Sequence, residues 1–255
     1  MAELHDRTLS RLRRYNLAMG MLHLVQGLAI LVLSNDFALP VHATFMKGPP
    51  GDAPPELDTL FDLPIGPAVA SFVFISALAH FVLVAPVGFR WYSRNLALQR
   101  NDARWIEYSI SASIMVVLIA MLTGIGDIAA LVALFGVNAS MIFFGLVQER
   151  YSAPGQGSLL PFWLGCIAGA VPWLAIGIYF VSPGTAANPP AFVYGIFISL
   201  FVFFNVFAVN MWLQYKRIGP WRNYLFGESV YVLLSLTAKS ALAWQVFFPT
   251  LAGQS

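Results

Sequence analysis

Residues Ser229–Phe248 read SVYVLLSLTAKSALAWQVFF: apolar throughout, with one cation, Lys239, well inside. An apolar helix of about 20 residues spans the hydrocarbon core of a bilayer. A lysine at its centre costs about 2.5–3.5 kcal/mol on insertion scales, so it needs a partner or a chemical job. The amine can pair with a buried carboxylate, or condense with an aldehyde and lose its free form.

The rest of the chain repeats the pattern. Of its 255 residues 58% are hydrophobic and 10% charged, against about 25% charged in soluble proteins. The apolar runs lack the in-out alternation of a membrane β-barrel, so the expected fold is an all-α, seven-transmembrane helical bundle forming one domain over residues 1–255. The seven runs are Tyr15–Leu33, Ile65–Phe89, Arg104–Leu122, Ile128–Val147, Leu159–Val181, Phe192–Trp212 and Leu225–Phe248. Short turns at Gly124-Ile125-Gly126-Asp127 and Ser182-Pro183-Gly184 follow the third and fifth. The N-terminus, MAELHDRTLSRLRRY, mixes both charge signs and reads as a retained anchor rather than a signal or transit peptide.

Charge placement orients the bundle. Arg7, Arg11, Arg13, Arg14, Arg90, Arg94, Arg100, Arg104, Arg150, Lys216, Arg217 and Arg222 fall on one side, twelve of the fourteen Lys and Arg. Lys47 alone falls on the other. The positive-inside rule then puts the N-terminus in the cytoplasm and the C-terminus outside a cell membrane. The one long connection, Ser34–Pro64, lies outside; it carries Asp36, Asp52, Glu56, Asp58 and Asp62 and the cluster Gly48-Pro49-Pro50-Gly51. It reads by default as a solvated loop, with a small folded cap or a dimer contact as the alternative.

Most acids fall in loops or at helix ends, Asp127, Glu149 and Glu228 among them. Glu107, in RWIEYSISASIMVVLIAML, is the one carboxylate expected to face the bundle interior and hence the expected partner of Lys239. Lys239 lies about 21 Å into the last helix at 1.5 Å per residue, and its stem tilts back toward the cytoplasmic end, where Glu107 sits. His23, Gln26, Ser76, His80 and Ser235 come to similar depth and form an expected polar cluster with that pair. The bland readings are a purely structural Lys–Glu bridge and ordinary packing histidines.

Other patterns carry less. The histidines lack metal-ligand spacing, and no enzymatic motif appears. Cys166, the single cysteine, reads as a buried inert thiol. Asn138-Ala139-Ser140 matches a glycosylation acceptor but falls in mid-membrane, and Gly165-Cys166-Ile167-Ala168-Gly169 reads as a close helix contact. Nothing points to a nucleic-acid partner.

Seven helices with a lysine in the last and a carboxylate in the third resemble the retinal-binding rhodopsins. The inverted orientation resembles the heliorhodopsins in particular. So do SNDFALP at Ser34–Pro40, RWIEYS at Arg104–Ser109, LFGVNASMI at Leu134–Ile142, LLPFWLGCIAGAVPW at Leu159–Trp173 and LTAKSALAWQ at Leu236–Gln245. The resemblance implies all-trans retinal on Lys239 as a protonated Schiff base, Glu107 as counterion, and Ser76 and Ser235 hydrogen-bonded around them. It implies that His23, His80 and Gln26 belong to a proton-accepting polar cavity, and that Tyr108, Met141, Ile142, Trp173 and Phe204 wall the pocket. It also implies a homodimer in the lipid bilayer and a signalling partner.

Two positions depart from proton pumps of the rhodopsin type. The residue one turn before the lysine is Ser235, where such pumps carry a second carboxylate, and the donor position eleven residues beyond the counterion is Leu118. A light sensor is therefore the expected function, with a light-driven ion pump or channel as the alternative.

Overall fold

The computed structural model describes residues 2–51, 56–181 and 190–251, with side chains from Thr8 onward. The Arg7 side chain, Asp52 and the Ser182-Pro183-Gly184 turn lie outside the described residues. The described residues form eight α-helices: α1 (Ala2–Leu33), α2 (Ile65–Val84), α3 (Pro86–Ala97), α4 (Asp102–Leu122), α5 (Ile128–Tyr151), α6 (Leu160–Phe180), α7 (Ala191–Tyr215) and α8 (Tyr224–Val246). All but α3 are long and apolar enough to cross a membrane, and the bundle of seven spans is the expected one.

The second span ends earlier than the apolar pattern predicts. Pro86 excludes the preceding residue from the helical region, and Ala85 is extended at φ −61°, ψ 149°. The run expected to Phe89 therefore stops at Val84, and a separate amphipathic helix, α3, starts at Pro86. Its buried Tyr92 and Leu96 pack with Leu12 of α1 and Tyr224 of α8, laying α3 across one end of the bundle. Arg13 fastens the same corner, donating to the Val84 carbonyl at 2.9 and 2.6 Å and stacking over Phe89.

The described part of the long connection between the first two spans is folded. Ala38–Phe45 (β1) and Glu56–Pro64 (β2) pair antiparallel, with a register shift between Val41 and His42. This hairpin is tied down at two places. The His42 amide donates to the Gly126 carbonyl at 3.0 Å, in the α4–α5 turn. Asn35 reaches the end of the last span through its backbone, 3.1 Å to the Leu251 carbonyl, and its side chain, 2.9 Å to the Thr250 carbonyl. The solvated-loop reading is thus replaced by the folded cap, because alternating apolar residues such as Val41 and Ala43 find a core to enter.

The apolar core fills the hairpin end, where Phe72, Ile119, Ile196, Leu200 and Leu242 are buried. The interior becomes polar toward the opposite end, which carries the arginines. Asn138, in the glycosylation-like triplet, is buried in α5 and donates to Ser113 at 3.0 Å. Gly165 brings α6 against α5, since a Cβ there would lie 3.3 Å from the Met141 carbonyl.

Candidate functional site

Lys239 and Glu107 meet. Lys239 Nζ donates to Glu107 Oε1 at 2.8 Å and to Ser235 Oγ at 2.9 Å. Ser76, entering from α2, donates to the same Glu107 oxygen at 2.6 Å. Nζ also lies 5.0 Å from the Tyr108 ring centroid, within cation–π range. All five side chains come from α2, α4 and α8, and Ser235 sits one helical turn before Lys239, so a single α8 face presents both groups.

Two cavities flank this pair. The larger is an apolar cleft with an empty volume of about 840 Å³, partly open to the surroundings, and Lys239 stands in its wall. Helical spacing builds it: Trp105, Tyr108, Ala112 and Met115 from α4, Phe204, Phe207, Ala208 and Met211 from α7, and Tyr231, Ser235 and Ala238 from α8. Met141 and Ile142 close it on α5. The smaller cavity lies toward the arginine end and is lined by Ser76, His80, Asn16, Tyr92, Asn101, Arg104, Glu107 and Glu228.

Of the expected pocket walls, Tyr108, Met141, Ile142 and Phe204 line the cleft. Trp173 stands behind it, its ring 5.5 Å from Phe204 and 5.4 Å from Phe201. Cys166, expected to be buried, is half-buried and lines the cleft. His23 and His80 stack at 5.6 Å, and His80 Nδ1 lies 2.9 Å from Asn16 Oδ1. Gln26 turns away from them and accepts from the Trp244 indole at 3.2 Å, outside the polar cavity.

The largest departure from the sequence expectation is a second buried ion cluster. Arg104, Glu149 and Glu228, placed at helix ends by sequence, are 5%, 6% and 0% exposed. Arg104 donates to Glu149 at 2.7 Å and contacts Glu228. Among the described residues Glu107 is therefore one of four buried carboxylates, with Asp102, Glu149 and Glu228. The signal was available: Glu228 lies eleven residues before Lys239, three helical turns back on the same α8 face, and Arg104 lies one turn before Glu107.

An apolar, aromatic cleft ending on one amine fits an aldehyde-bearing polyene, since the shape takes the chain and the amine takes the aldehyde. Comparison with known proteins adds to this geometry. No curated protein matches the chain. A family model for heliorhodopsins matches residues 12–251, nearly the whole length. The chain therefore belongs to the heliorhodopsin family, multi-pass membrane rhodopsins that sense light through retinal.

Proposed function

We propose that this chain is a photoreceptor that signals by conformational change and pumps no ion. All-trans retinal is held on Lys239, as the carrying observation supports: an amine 2.8 Å from a buried carboxylate at the wall of an apolar cleft. When bound, retinal supplies a light-driven isomerisation about a polyene whose end is a protonated imine. The protein's residues do the rest. Glu107 holds the compensating negative charge, Ser76 and Ser235 fix its position and that of Nζ, and Tyr108 offers its ring face to the cation. Motion of Nζ away from Glu107 weakens the attraction that keeps the proton on nitrogen, and the proton moves into the polar cavity around His80, with His23 stacked behind. Gln26 acts at the margin of this cluster through Trp244.

Ser235 and Leu118 supply no carboxylate ladder, which supports sensing over transport. The arginine-rich end faces the cytoplasm by the positive-inside rule, putting the N-terminus inside and the hairpin outside. The chain acts as a homodimer in the cell membrane and passes its signal to a cytoplasmic partner.

The test is reconstitution with all-trans retinal. A red-shifted visible band is expected from the unsubstituted protein and none from Lys239→Ala. A band that survives Lys239→Ala overturns the assignment. Illuminated cells in weak buffer should show no sustained, ionophore-sensitive pH change; such a change would establish pumping instead.

A further inference from the structure

The ion cluster at the arginine end is unevenly satisfied. Glu149 is saturated: Oε1 accepts from Arg104 at 2.7 Å and from the Tyr224 hydroxyl at 2.8 Å, while Oε2 accepts from the Asn101 amide at 2.9 Å and the Trp105 indole at 2.6 Å. Four donors are what an ionised carboxylate takes. Glu228 contacts Arg104 and accepts one further hydrogen bond, from Asn101 Nδ2 at 2.7 Å. It is fully buried, and unlike Glu149 it lines the polar cavity that also holds Glu107.

Charge counting sharpens the contrast. Asp102 is offset by Arg150, at 3.0 and 2.6 Å. Among the described residues the interior then holds the carboxylates Glu107, Glu149 and Glu228 against the cations Arg104 and Lys239. One negative charge is in excess where solvation is poor, a condition that protonation relieves. Glu107 is held by Lys239 and Ser76, and Glu149 by its four donors. Glu228 has acceptor capacity to spare.

We propose that Glu228 is the proton-storing group of this bundle, taking up the proton released from Lys239 Nζ and returning it later. The proposal rests on the photoreceptor reading. In the transfer an N–H bond at Nζ breaks, its electron pair stays on nitrogen, and an O–H bond forms on Glu228; the interior charge is unchanged and no co-reactant is consumed. Eleven residues separate the two groups, about 16 Å along α8 at 1.5 Å per residue, so the proton crosses the cavity rather than jumping directly. Ser76, His80, Asn16 and Asn101 supply the hydrogen-bonding walls between them. The titratable and charged groups facing Glu228 are Arg104, Glu107 and Tyr108 from α4, His80 from α2, Tyr92 from α3 and Tyr231 from α8, with Glu149 and Tyr224 behind Arg104. Burial pushes the Tyr92 phenol above the usual tyrosine range, so it remains neutral and contributes no competing charge.

The experiment is infrared titration of the full chain in lipid nanodiscs, first without retinal. On acidification, the first carboxylic-acid carbonyl band from a buried group is expected to be lost in Glu228→Gln, displaced in Glu228→Asp and retained in Glu149→Gln. With retinal bound, illumination is expected to raise the same band. The aspartate variant keeps the test alive if the glutamine variant fails to fold. A band unchanged in both Glu228 variants overturns the proposal, as does a pigment that bleaches without raising the band. A chain that forms no pigment overturns the photoreceptor reading instead, and the proposal with it.

Discussion

The Arg104 guanidinium carbon lies 3.9 Å from the centroid of the Tyr231 ring, and Tyr231, with Tyr108 and Ser235, lines both cavities. Its other neighbours are aromatic: Trp105 at 6.3 Å and Phe207 at 6.2 Å, both walls of the apolar cleft. Arg104 therefore lies directly against a wall of the apolar cleft. Stacking over Trp105 as well, at 4.5 Å, holds the guanidinium between two rings.

This contact is made by the ring and not by the hydroxyl. Tyr231→Phe keeps the ring and should therefore lower thermal stability less than Tyr231→Leu. Tyr231→Leu should lower it by about 0.5–2 kcal/mol for the lost cation–π contact alone. Thermal unfolding followed by visible absorbance of the loaded protein distinguishes the two. Equal loss in both variants would assign the stabilisation to the hydroxyl.

Ser76 donates to Glu107 at 2.6 Å and so spreads part of the carboxylate's charge. Hydrogen bonds to charged groups contribute about 1.5–3 kcal/mol. Ser76→Ala concentrates negative charge near Lys239 Nζ, and the absorption maximum should move to shorter wavelength. Glu107→Gln removes the charge and should move it the opposite way, by more. Shifts of the same sign would mean that Ser76 acts on the pigment through packing.

Much of this site was legible in the sequence, and the parts that were not share one cause. Lys239, Glu107, Ser76 and Ser235 converge as expected, because depth and helical face follow from residue counting once the spans are drawn. Arg104, Glu149 and Glu228 were misplaced because they lie within one or two turns of a helix end. There, a one-turn change in boundary moves a charge between water and interior. The folded hairpin stood only as the alternative to a solvated loop, because a Pro- and Gly-rich stretch carries the same composition whether it is solvated or paired. Trp173 came one layer too deep: its α6 face meets Phe197, Phe201 and Phe204 rather than the open cleft.

Two glycines beside the cleft should respond differently to the same substitution. A Cβ at Gly145 would lie 2.3 Å from the Trp105 ring, which is fixed by its indole bond to Glu149. A Cβ at Gly169 would lie 2.5 Å from Met141 Sδ, the end of a flexible side chain. Gly145→Ala should cost about 1–3 kcal/mol as overpacking and reduce the yield of pigment. Gly169→Ala should be tolerated, with Met141 displaced. Retinal titration of both variants, read as bound pigment per protein, checks the contrast; equal yields would remove Trp105 from the cleft's fixed framework.

The buried ion cluster makes the sharpest prediction about stability. Removing one member of a buried ionic set leaves the others uncompensated, at a cost of about 3–5 kcal/mol, whereas replacing the whole set by neutral residues of similar size is often close to neutral. Arg104→Met strands both Glu149 and Glu228 and should be strongly destabilising. Adding Glu149→Gln and Glu228→Gln removes the stranded charge while leaving an acceptor oxygen for the Asn101, Trp105 and Tyr224 donors. The triple variant should therefore unfold at a higher temperature than Arg104→Met alone, though below the unsubstituted protein, because a glutamine oxygen cannot serve all three donors and its amide adds hydrogens to a site built from donors. Thermal unfolding of retinal-free protein in one lipid composition measures the order. If the triple variant is no more stable than the single one, packing around the guanidinium between Trp105 and Tyr231, and not charge balance, is what Arg104 contributes.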